Sequence, residues 1–378
     1  MTRRKVNRHR VGAILSAIVG SAMAICLAAV PAMADTVPPP ASSQMVQRAS
    51  GETDIAAVNS GHQLRFLWNF QGQHSWSNDL VSSSFQSAPA LVQRVGGKTN
   101  GEMDIAAITS TGELNFYWNF QGQTKWNSEI VAKGPFTGRP TMVLRPSGEV
   151  DIAAITKGGA LLFFWNFQGS HTWRSETVST GTFAGSPSLV QRPSGESDIA
   201  VVFDGKLRFF WNFQGSHSWS SDVVADGPFA GSPVLVQRPG SDGEMDIAAV
   251  TSSGRLTYYW NFQNHFNWNS EAVAFGRFVG TPAMLLRPGK AGEMDIGAFT
   301  FNGQLRFMWN FSGSRSWENE LVAFAGSSKL AMVQRVGGKT DGETDIAAVV
   351  GNRLWFWWNF QGSHQWHSEE AASGYSII

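Results

Sequence analysis

The chain has 378 residues, of which 42% are hydrophobic and 15% are charged, with 29 basic and 29 acidic residues. Five of the cations lie in the first ten residues, so the remainder carries 24 basic and 29 acidic residues and a net charge of −5. This balance favours solubility and argues against nucleic acid or anionic lipid as the partner, since both select basic surfaces. A single cysteine excludes an internal disulfide.

Residues 1–34 are typical of a secretory signal peptide. Five cations and no acid occupy residues 1–10, an apolar run follows from residue 11 to 30, and Ala32-Met33-Ala34 precedes Asp35. This order predicts cleavage after Ala34 and secretion, with no membrane insertion of the mature chain. The alternative is a membrane anchor, because the apolar run approaches spanning length. Cleavage would remove Cys26, and with it any thiolate metal site.

Residues 35–43 contain three consecutive prolines and predict a short extended tail. Seven copies of Trp-Asn-Phe follow, 46 to 50 residues apart, each with a second tryptophan eight residues after the first. The first tryptophans are Trp68, Trp118, Trp165, Trp211, Trp260, Trp309 and Trp358. The second tryptophans are Trp76, Trp126, Trp173, Trp219, Trp268, Trp317 and Trp366. A period of this length without a helical pattern predicts a toroidal all-β repeat protein.

Each copy divides into four short segments bounded by Gly, Pro, Ser or Asn, as strands are. In the fifth copy they are strand a (232–238), strand b (246–251), strand c (256–262) and strand d (268–274). The sequence therefore predicts an all-β fold, a seven-bladed β-propeller with four antiparallel strands per blade, over residues 44–374, with residues 375–378 as a C-terminal tail. The longest connection joins strand d to the next strand a, which makes a the innermost strand and d the outermost. Seven whole blades predict that the ring closes by packing.

Every copy also repeats three acids and one arginine. Strand b begins with a Gly-Glu-x-Asp motif in all seven copies, from Glu52 and Asp54 to Glu343 and Asp345. Strand a ends in Arg48, Arg94, Arg145, Arg192, Arg238, Arg287 and Arg335. The strand-d acids, three residues after the second tryptophan, are Asp79, Glu129, Glu176, Asp222, Glu271, Glu320 and Glu369. Sevenfold repetition argues against one active site and favours either architecture or several equivalent binding sites.

These polar residues have two interpretations each. The Glu and Asp of strand b are expected to organise the a–b turn, and the alternative is a calcium site, although two carboxylates supply few oxygens. The arginine and the strand-d acid are expected to pair with each other within or between blades. Alternatively, they hold the hydroxyl groups of a sugar, since a guanidinium donates and a carboxylate accepts directional hydrogen bonds.

The tryptophans are expected to differ in role. The first of each pair lies on the apolar face of strand c and is expected in the core. The second lies after a polar turn at a blade boundary, where an aromatic ring either packs or stacks on a ligand. Histidines occupy the position two residues before it in four copies, which suits either a recognition surface or a tolerant turn. They are His74, His171, His217 and His364.

The order Pro-x-Leu-Val, Asp-Ile-Ala, Leu-x-Phe and Trp-x-x-Glu resembles the repeats of the seven-bladed propeller lectins of Photorhabdus-type bacteria over residues 41–374. Proteins of that family bind fucose or related sugars in pockets between neighbouring blades. The phrase Trp-Asn-Phe-Gln-Gly is a departure from the repeats of that family. The resemblance implies a sugar-binding propeller.

We therefore expect a secreted, lectin-like protein with repeated weak sugar sites at blade boundaries and no cofactor. The candidate ligand residues are the second tryptophans, the arginines from Arg94 onward and the strand-d acids from Glu129 onward. The alternative is a non-catalytic scaffold that binds a protein or cell-envelope partner. A hydrolase is disfavoured because the sequence has no Ser-centred elbow, phosphate loop or metal-ligand spacing.

Overall fold

The computed structural model describes residues 44–48, 50–70, 73, 75–95, 101–120, 123, 125–166, 170, 172–213, 216, 218–229, 231–238, 244–261, 267–287, 293–310, 314, 316–326, 330–335, 342–360, 363 and 365–375. The predicted signal peptide, the tail over residues 35–43 and the four turn histidines lie outside these residues. Within the described ranges, no helix has the length and apolar character needed to cross a membrane.

The described residues form 28 strands in seven four-stranded antiparallel sheets, and each sheet is one blade. Blade 1 consists of β1 (Met45–Gln47), β2 (Glu52–Val58), β3 (Gln63–Phe70) and β4 (Ser77–Ser83). Blade 2 consists of β5 (Ala90–Gln93), β6 (Met103–Ile108), β7 (Leu114–Asn119) and β8 (Asn127–Ala132). Blade 3 consists of β9 (Phe136–Leu144), β10 (Val150–Thr156), β11 (Ala160–Asn166) and β12 (Arg174–Thr180). Blade 4 consists of β13 (Phe183–Gln191), β14 (Ser197–Phe203), β15 (Lys206–Asn212) and β16 (Ser220–Ala225).

The last three blades repeat this order. Blade 5 consists of β17 (Val234–Gln237), β18 (Met245–Val250), β19 (Leu256–Asn261) and β20 (Asn269–Ala272). Blade 6 consists of β21 (Phe278–Leu286), β22 (Met294–Thr300), β23 (Gln304–Asn310) and β24 (Glu318–Phe324). Blade 7 consists of β25 (Leu330–Gln334), β26 (Thr344–Val350), β27 (Arg353–Asn359) and β28 (His367–Ser373). The predicted seven-bladed β-propeller is confirmed.

The ring closes by packing between blades 1 and 7, as predicted, because each of these blades is made of four consecutive strands. Met45 and Leu67 of blade 1 lie in one core cluster with Leu354 and Phe356 of blade 7. Tyr375, which the prediction placed in a C-terminal tail, is buried and pairs as an isolated β-bridge with Asn59 of blade 1. The chain end therefore contributes to closure.

The hydrophobic core is divided into seven clusters, one between each pair of neighbouring blades. We call each such layer a seam and number it by its blades, so that seam 4/5 lies between blades 4 and 5. On β15, Phe209 enters the cluster of seam 4/5 and the next residue, Phe210, enters that of seam 3/4. Because successive side chains of a strand point to opposite faces, a strand apolar on both faces must be covered by a blade on each side. This explains the continuous apolar character of strand c.

Candidate functional site

Every seam carries two half-buried tryptophans, one from each blade. In seam 1/2, Trp68 of blade 1 and Trp126 of blade 2 both pack on the ring of Phe66. Trp68 stacks on it at a centroid distance of 5.9 Å, and Trp126 meets it edge-on at 5.2 Å. The same trio recurs in each seam around Phe116, Phe163, Phe209, Tyr258, Phe307 and Phe356.

Alternation along strand c places these rings in a row that leads from the core to the solvent. Phe66, Trp68 and Phe70 share one face of β3. Phe66 is buried, Trp68 is half-buried and Phe70 is 44% exposed. The first tryptophans were expected in the core, and all seven pack against its clusters, but as partly buried rings. The equivalents of Phe70 that the structure describes are also exposed, and they are Phe120, Phe213 and Phe360.

In five seams a glutamate of strand d holds the tryptophan of the next blade. Glu129 Oε1 accepts hydrogen bonds from Trp173 Nε1 at 2.7 Å and from Asn166 Nδ2 at 3.2 Å. We call this arrangement the glutamate clamp. Four further clamps are Glu369 with Trp76 and Asn69, Glu176 with Trp219 and Asn212, Glu271 with Trp317 and Asn310, and Glu320 with Trp366 and Asn359.

The other two seams have an aspartate at this position, and the clamp is open. Asp79 pairs with Phe66 and Asp222 with Phe209 in the register that Glu129 has with Phe116, so the two aspartates occupy the clamp position of seams 1/2 and 4/5. The Nε1 atoms of Trp126 and Trp268 are buried and have no hydrogen-bond partner within the part of the chain that the structure describes. Partial burial raises the pKa of Asp79, because desolvation disfavours its charged form. The buried indole N–H groups of seams 1/2 and 4/5 therefore lack the hydrogen bond that the other five seams supply.

The strand-a arginines do not reach the strand-d acids, so the predicted pairing between them is wrong. Each arginine Nε instead lies 2.5–2.9 Å from the strand-b Asp and 2.8–3.4 Å from the strand-b Glu of its own blade. The aspartates are fully buried, and the arginine side chains are only 5–12% exposed. Arg94, Arg145, Arg192, Arg238, Arg287 and Arg335 therefore do not form part of the candidate ligand surface.

These arginines also join neighbouring blades. Arg94 Nη1 donates to the carbonyl oxygen of Gly148 at 2.9 Å, and Arg145 Nη2 donates to Ser197 Oγ at 3.3 Å. The a–b turn beside them is held by the backbone, since the Gly51 amide donates to the Arg48 carbonyl at 2.9 Å. Gly51 has φ of 88°, a left-handed conformation that favours glycine and explains the Gly before each Glu. The strand-b carboxylates thus fix the arginine, and the backbone forms the turn.

Two carboxyl groups lie beside each guanidinium, and burial raises the pKa of the aspartate of each pair where a shift is resolved. Desolvation raises the pKa of Asp151 and of Asp246 to about 7, although Arg145 and Arg238 oppose the shift. The same cause raises the pKa of Asp54, Asp104, Asp198 and Asp345 well above the ordinary value. Because a guanidinium already lies between the two acids, a calcium ion at this place would face its positive charge.

Three elements of the seam were missed at the level of sequence. The first tryptophan borders the open end, the Asn after it is a clamp donor, and the following Phe is exposed. The repeated phrase Trp-Asn-Phe carried this information, because the period of two on a strand assigns Trp and Phe to one seam and Asn to the other. The strand-d acids and second tryptophans do meet, as hydrogen-bonded pairs across the five blade boundaries that carry a glutamate.

The fold and the seams can now be compared with known proteins. The chain matches no protein-family model and no curated protein. Among solved structures it is similar to the BP39L lectin of Burkholderia pseudomallei, with a TM-score of 0.73, 20% identity, and coverage of 89% of this chain and 99% of that one.

Two further similarities span both binding proteins and enzymes. The fucose-recognising lectin of Aleuria aurantia, a six-bladed propeller, gives a TM-score of 0.51 at 10% identity and covers 75% of this chain and 95% of its own. A protein of Bacteroides uniformis that is assigned as a 6-phosphogluconolactonase gives a TM-score of 0.60 at 11% identity. The similarity covers 86% of this chain and 98% of that one. At these identities the comparisons establish the β-propeller fold alone.

Proposed function

We propose that this chain is a secreted carbohydrate-binding propeller of the lectin type, with weak sugar sites repeated at its blade boundaries. The observation that carries the proposal is the pair of half-exposed tryptophans, from two blades, that borders a carboxylate in each seam. Aromatic faces stack on the apolar face of a sugar, and carboxylates accept its hydroxyl protons. Several such sites on one ring bind displayed glycans by avidity even when each is weak.

Similarity to solved lectins supports the same class. The Burkholderia protein is a lectin, and a single-substitution variant of the Aleuria lectin was solved with α-methyl-L-fucoside. We accordingly place the chain near the propeller lectins of the Photorhabdus type and take fucose or a related sugar as the first ligand to test. We propose no catalytic role, since the acids are repeated around the ring and all of the repeated ones except Asp79 and Asp222 are engaged in the clamps and ion pairs described above.

A glycan array probed with the mature chain, from Asp35 onward, tests this function. The expected result is binding to a defined set of glycans that free methyl α-L-fucoside or another monosaccharide competes away. The matched control is Trp355→Phe, because Trp355 lies outside the seven tryptophan pairs and its loss should leave binding unchanged. Folded protein that binds nothing on a broad array would contradict the proposal.

Secretion is part of the proposal and has its own test. The basic, apolar and small-residue order of residues 1–34 is the reason to expect an exported protein. Expression of the full chain in a bacterial host, followed by N-terminal sequencing of the exported protein, should yield a chain that begins at Asp35. Retention of the full chain in the membrane fraction would favour the anchor instead.

A protein-binding scaffold is the second candidate, and one exposed aromatic patch favours it. Phe275, Phe301 and Phe324 are 105%, 66% and 74% exposed, and the guanidinium of Arg277 lies 4.6 Å from the Phe301 ring centroid. Phe301 lies in the β22–β23 turn, Phe324 ends β24 opposite Gln304, and Phe275 lies in the connection from β20 to β21. A pull-down that depends on these residues, together with a negative glycan array, would favour this candidate.

A further inference from the structure

We propose that seams 1/2 and 4/5 are the selective sites of the ring, each binding one saccharide hydroxyl between an aspartate carboxylate and an indole N–H. This inference rests on the proposed function, because it names the seams where sugar recognition is concentrated. In the five clamped seams one carboxylate oxygen is already bound to the indole, whereas the two aspartate seams offer an unbound indole donor beside a carboxylate acceptor.

Comparison of the seven seams carries the proposal. In each of the five glutamate seams, one carboxylate oxygen satisfies both the indole N–H and the Asn amide of the next blade. In seam 1/2 the indole nitrogen of Trp126 has no partner among the described residues. Asn119 donates instead to the carbonyl oxygen of Gln123 in its own blade, at 2.7 Å. In this seam neither the indole N–H of Trp126 nor the amide of Asn119 is bound to the strand-d acid.

Seam 4/5 repeats this state independently. The Trp268 indole nitrogen is buried and unpartnered within the described part of the chain. Asn261 is half-buried, whereas its six equivalents are only 6–7% exposed. Asp222 Oδ1 accepts the Val223 amide at 3.0 Å, which leaves Oδ2 for a ligand. Two separate replacements of Glu by Asp therefore give the same open clamp.

The dimensions of the open clamp suit one oxygen atom. An aspartate is shorter than a glutamate by one methylene, about 1.5 Å, and this is added to the 2.7 Å of a closed clamp. A hydroxyl oxygen that accepts one hydrogen bond and donates another joins atoms about 4–5 Å apart. The missing methylene therefore leaves room for a bridging hydroxyl after a small movement of either side chain.

The chemistry of the two groups selects the class of ligand. The indole N–H only donates, and the ionised carboxylate only accepts, so the bridging group must do both. A hydroxyl meets this requirement, whereas an ammonium group has no lone pair and the dianion of a phosphate monoester has no proton to give. Water also fits, and a sugar hydroxyl that reproduces its two hydrogen bonds would displace it at little cost.

The surroundings suit a sugar in both seams. Trp68 and Phe70 border seam 1/2, and Trp211 and Phe213 border seam 4/5, with the two phenylalanines 44% and 57% exposed. These rings offer an apolar surface beside the hydroxyl position. The two seams are three blades apart in a ring of seven, so they lie on nearly opposite sides of the propeller. A bivalent arrangement of this kind suits glycans displayed on a surface.

The test closes the two open clamps with the side chain that five seams already use. In the double variant Asp79→Glu/Asp222→Glu, both acids keep their charge, and the fold is preserved because the variant copies native seams. Titration calorimetry with the monosaccharide that competes best on the array, beginning with methyl α-L-fucoside, should give two equivalents per wild-type chain. The double variant should bind it at least about tenfold more weakly, as loss of a charged hydrogen bond predicts.

The reverse variant, Glu271→Asp, opens a clamp in seam 5/6 and should add a third equivalent. Seven equivalents in the wild-type chain, or unchanged binding by the double variant, would overturn this inference and leave the proposed function standing. Absence of monosaccharide binding to folded wild-type protein would overturn both.

An NMR measurement tests the open clamp without any sugar. Indole N–H groups bound to a carboxylate exchange slowly with water, so the signals of Trp126 and Trp268 should exchange faster than those of the five clamped tryptophans. Trp126→Phe and Trp268→Phe assign the two signals by their loss. The double variant should slow both signals to the rate of the other five, and equal exchange at all seven in the wild-type chain would refute the open clamp.

Discussion

Trp76 Nε1 donates a 2.7 Å hydrogen bond to Glu369 Oε1, although the two residues lie 293 positions apart in the chain. Asn69 Nδ2 donates to the same oxygen at 3.0 Å. Seam 7/1 therefore closes the ring with the same glutamate clamp that joins blades 2 and 3. The strand-d acid acts across the blade boundary, so each clamp contributes to the stability of two blades at once.

Removal of a clamp should weaken the ring. Glu369→Ala leaves the indole of Trp76 and the amide of Asn69 without their shared acceptor, and we expect a loss of about 2 kcal/mol in the free energy of unfolding. Urea unfolding followed by tryptophan fluorescence measures this change. The control is Asp79→Ala, which removes an acid with no clamp and should cost about 0.5 kcal/mol or less. Equal losses in the two variants would show that the clamp adds no stability.

The buried arginines should contribute far more than the exposed ones. Arg145→Ala leaves the buried carboxyl of Asp151 without its guanidinium, and we expect a loss of about 3–5 kcal/mol. Arg353→Ala breaks an ion pair of similar length, 2.9 Å to Glu370 against 2.7 Å for Arg145 and Asp151, but the Arg353 side chain is 54% exposed. We expect a loss below about 1 kcal/mol there, because solvent screens the pair. Chemical denaturation of both variants measures the contrast, and similar losses would contradict it.

The raised pKa of the buried aspartates predicts that stability falls as the pH rises. Asp151 and Asp246 have folded pKa values of about 7, above the ordinary 3.8. Between these values the folded protein retains a proton that the unfolded chain has released. Stability is therefore greatest below about pH 4 for these groups and declines by up to about 1.4 kcal/mol per pH unit for each proton until about pH 7. Urea midpoints measured between about pH 5 and pH 8 at constant salt test the sign.

The neighbouring glutamates provide the control for this pH dependence. Glu149 and Glu244 each raise the pKa of the aspartate beside them by charge repulsion. The double variant Glu149→Gln/Glu244→Gln removes that repulsion and should lower both aspartate pKa values. The decline of stability with pH should become shallower in the variant than in the wild-type chain. An unchanged slope would assign the pH dependence to other groups.

Much of the fold was predictable because its signals are periodic. The spacing of the Trp pairs defined seven blades, and the four segments predicted for the fifth copy match β17 to β20 within two residues at every end. The second tryptophan, which was predicted to open strand d, lies just before it, since β20 begins at Asn269, directly after Trp268. Strand ends depend on local hydrogen bonding, which composition marks only approximately.

The site was less predictable because its partners come from different blades. A repeated acid and a repeated arginine suggested a pair, but the sequence did not show which of the three acids the arginine would reach. Register decides this, since the pairing of β9 with β10 sets Leu144 opposite Val150 and so brings Arg145 beside the two strand-b acids. The first tryptophans looked like core residues by alternation alone, and only the position along the seam shows that they border solvent.

Tyr258 replaces the central phenylalanine of the other seams and suggests a stabilising substitution. Its hydroxyl donates to Asp246 Oδ1 at 2.5 Å and accepts from Arg238 Nη2 at 2.6 Å. In blade 3 the corresponding oxygen, Asp151 Oδ1, is buried without a partner among the residues described, and Phe163 stands where the tyrosine would be. Phe163→Tyr should therefore raise the free energy of unfolding by about 1 kcal/mol, the net value of one hydrogen bond. Tyr258→Phe should lower it by a similar amount, and urea unfolding of both variants provides the comparison. A loss of stability in Phe163→Tyr would mean that blade 3 has no room for the hydroxyl.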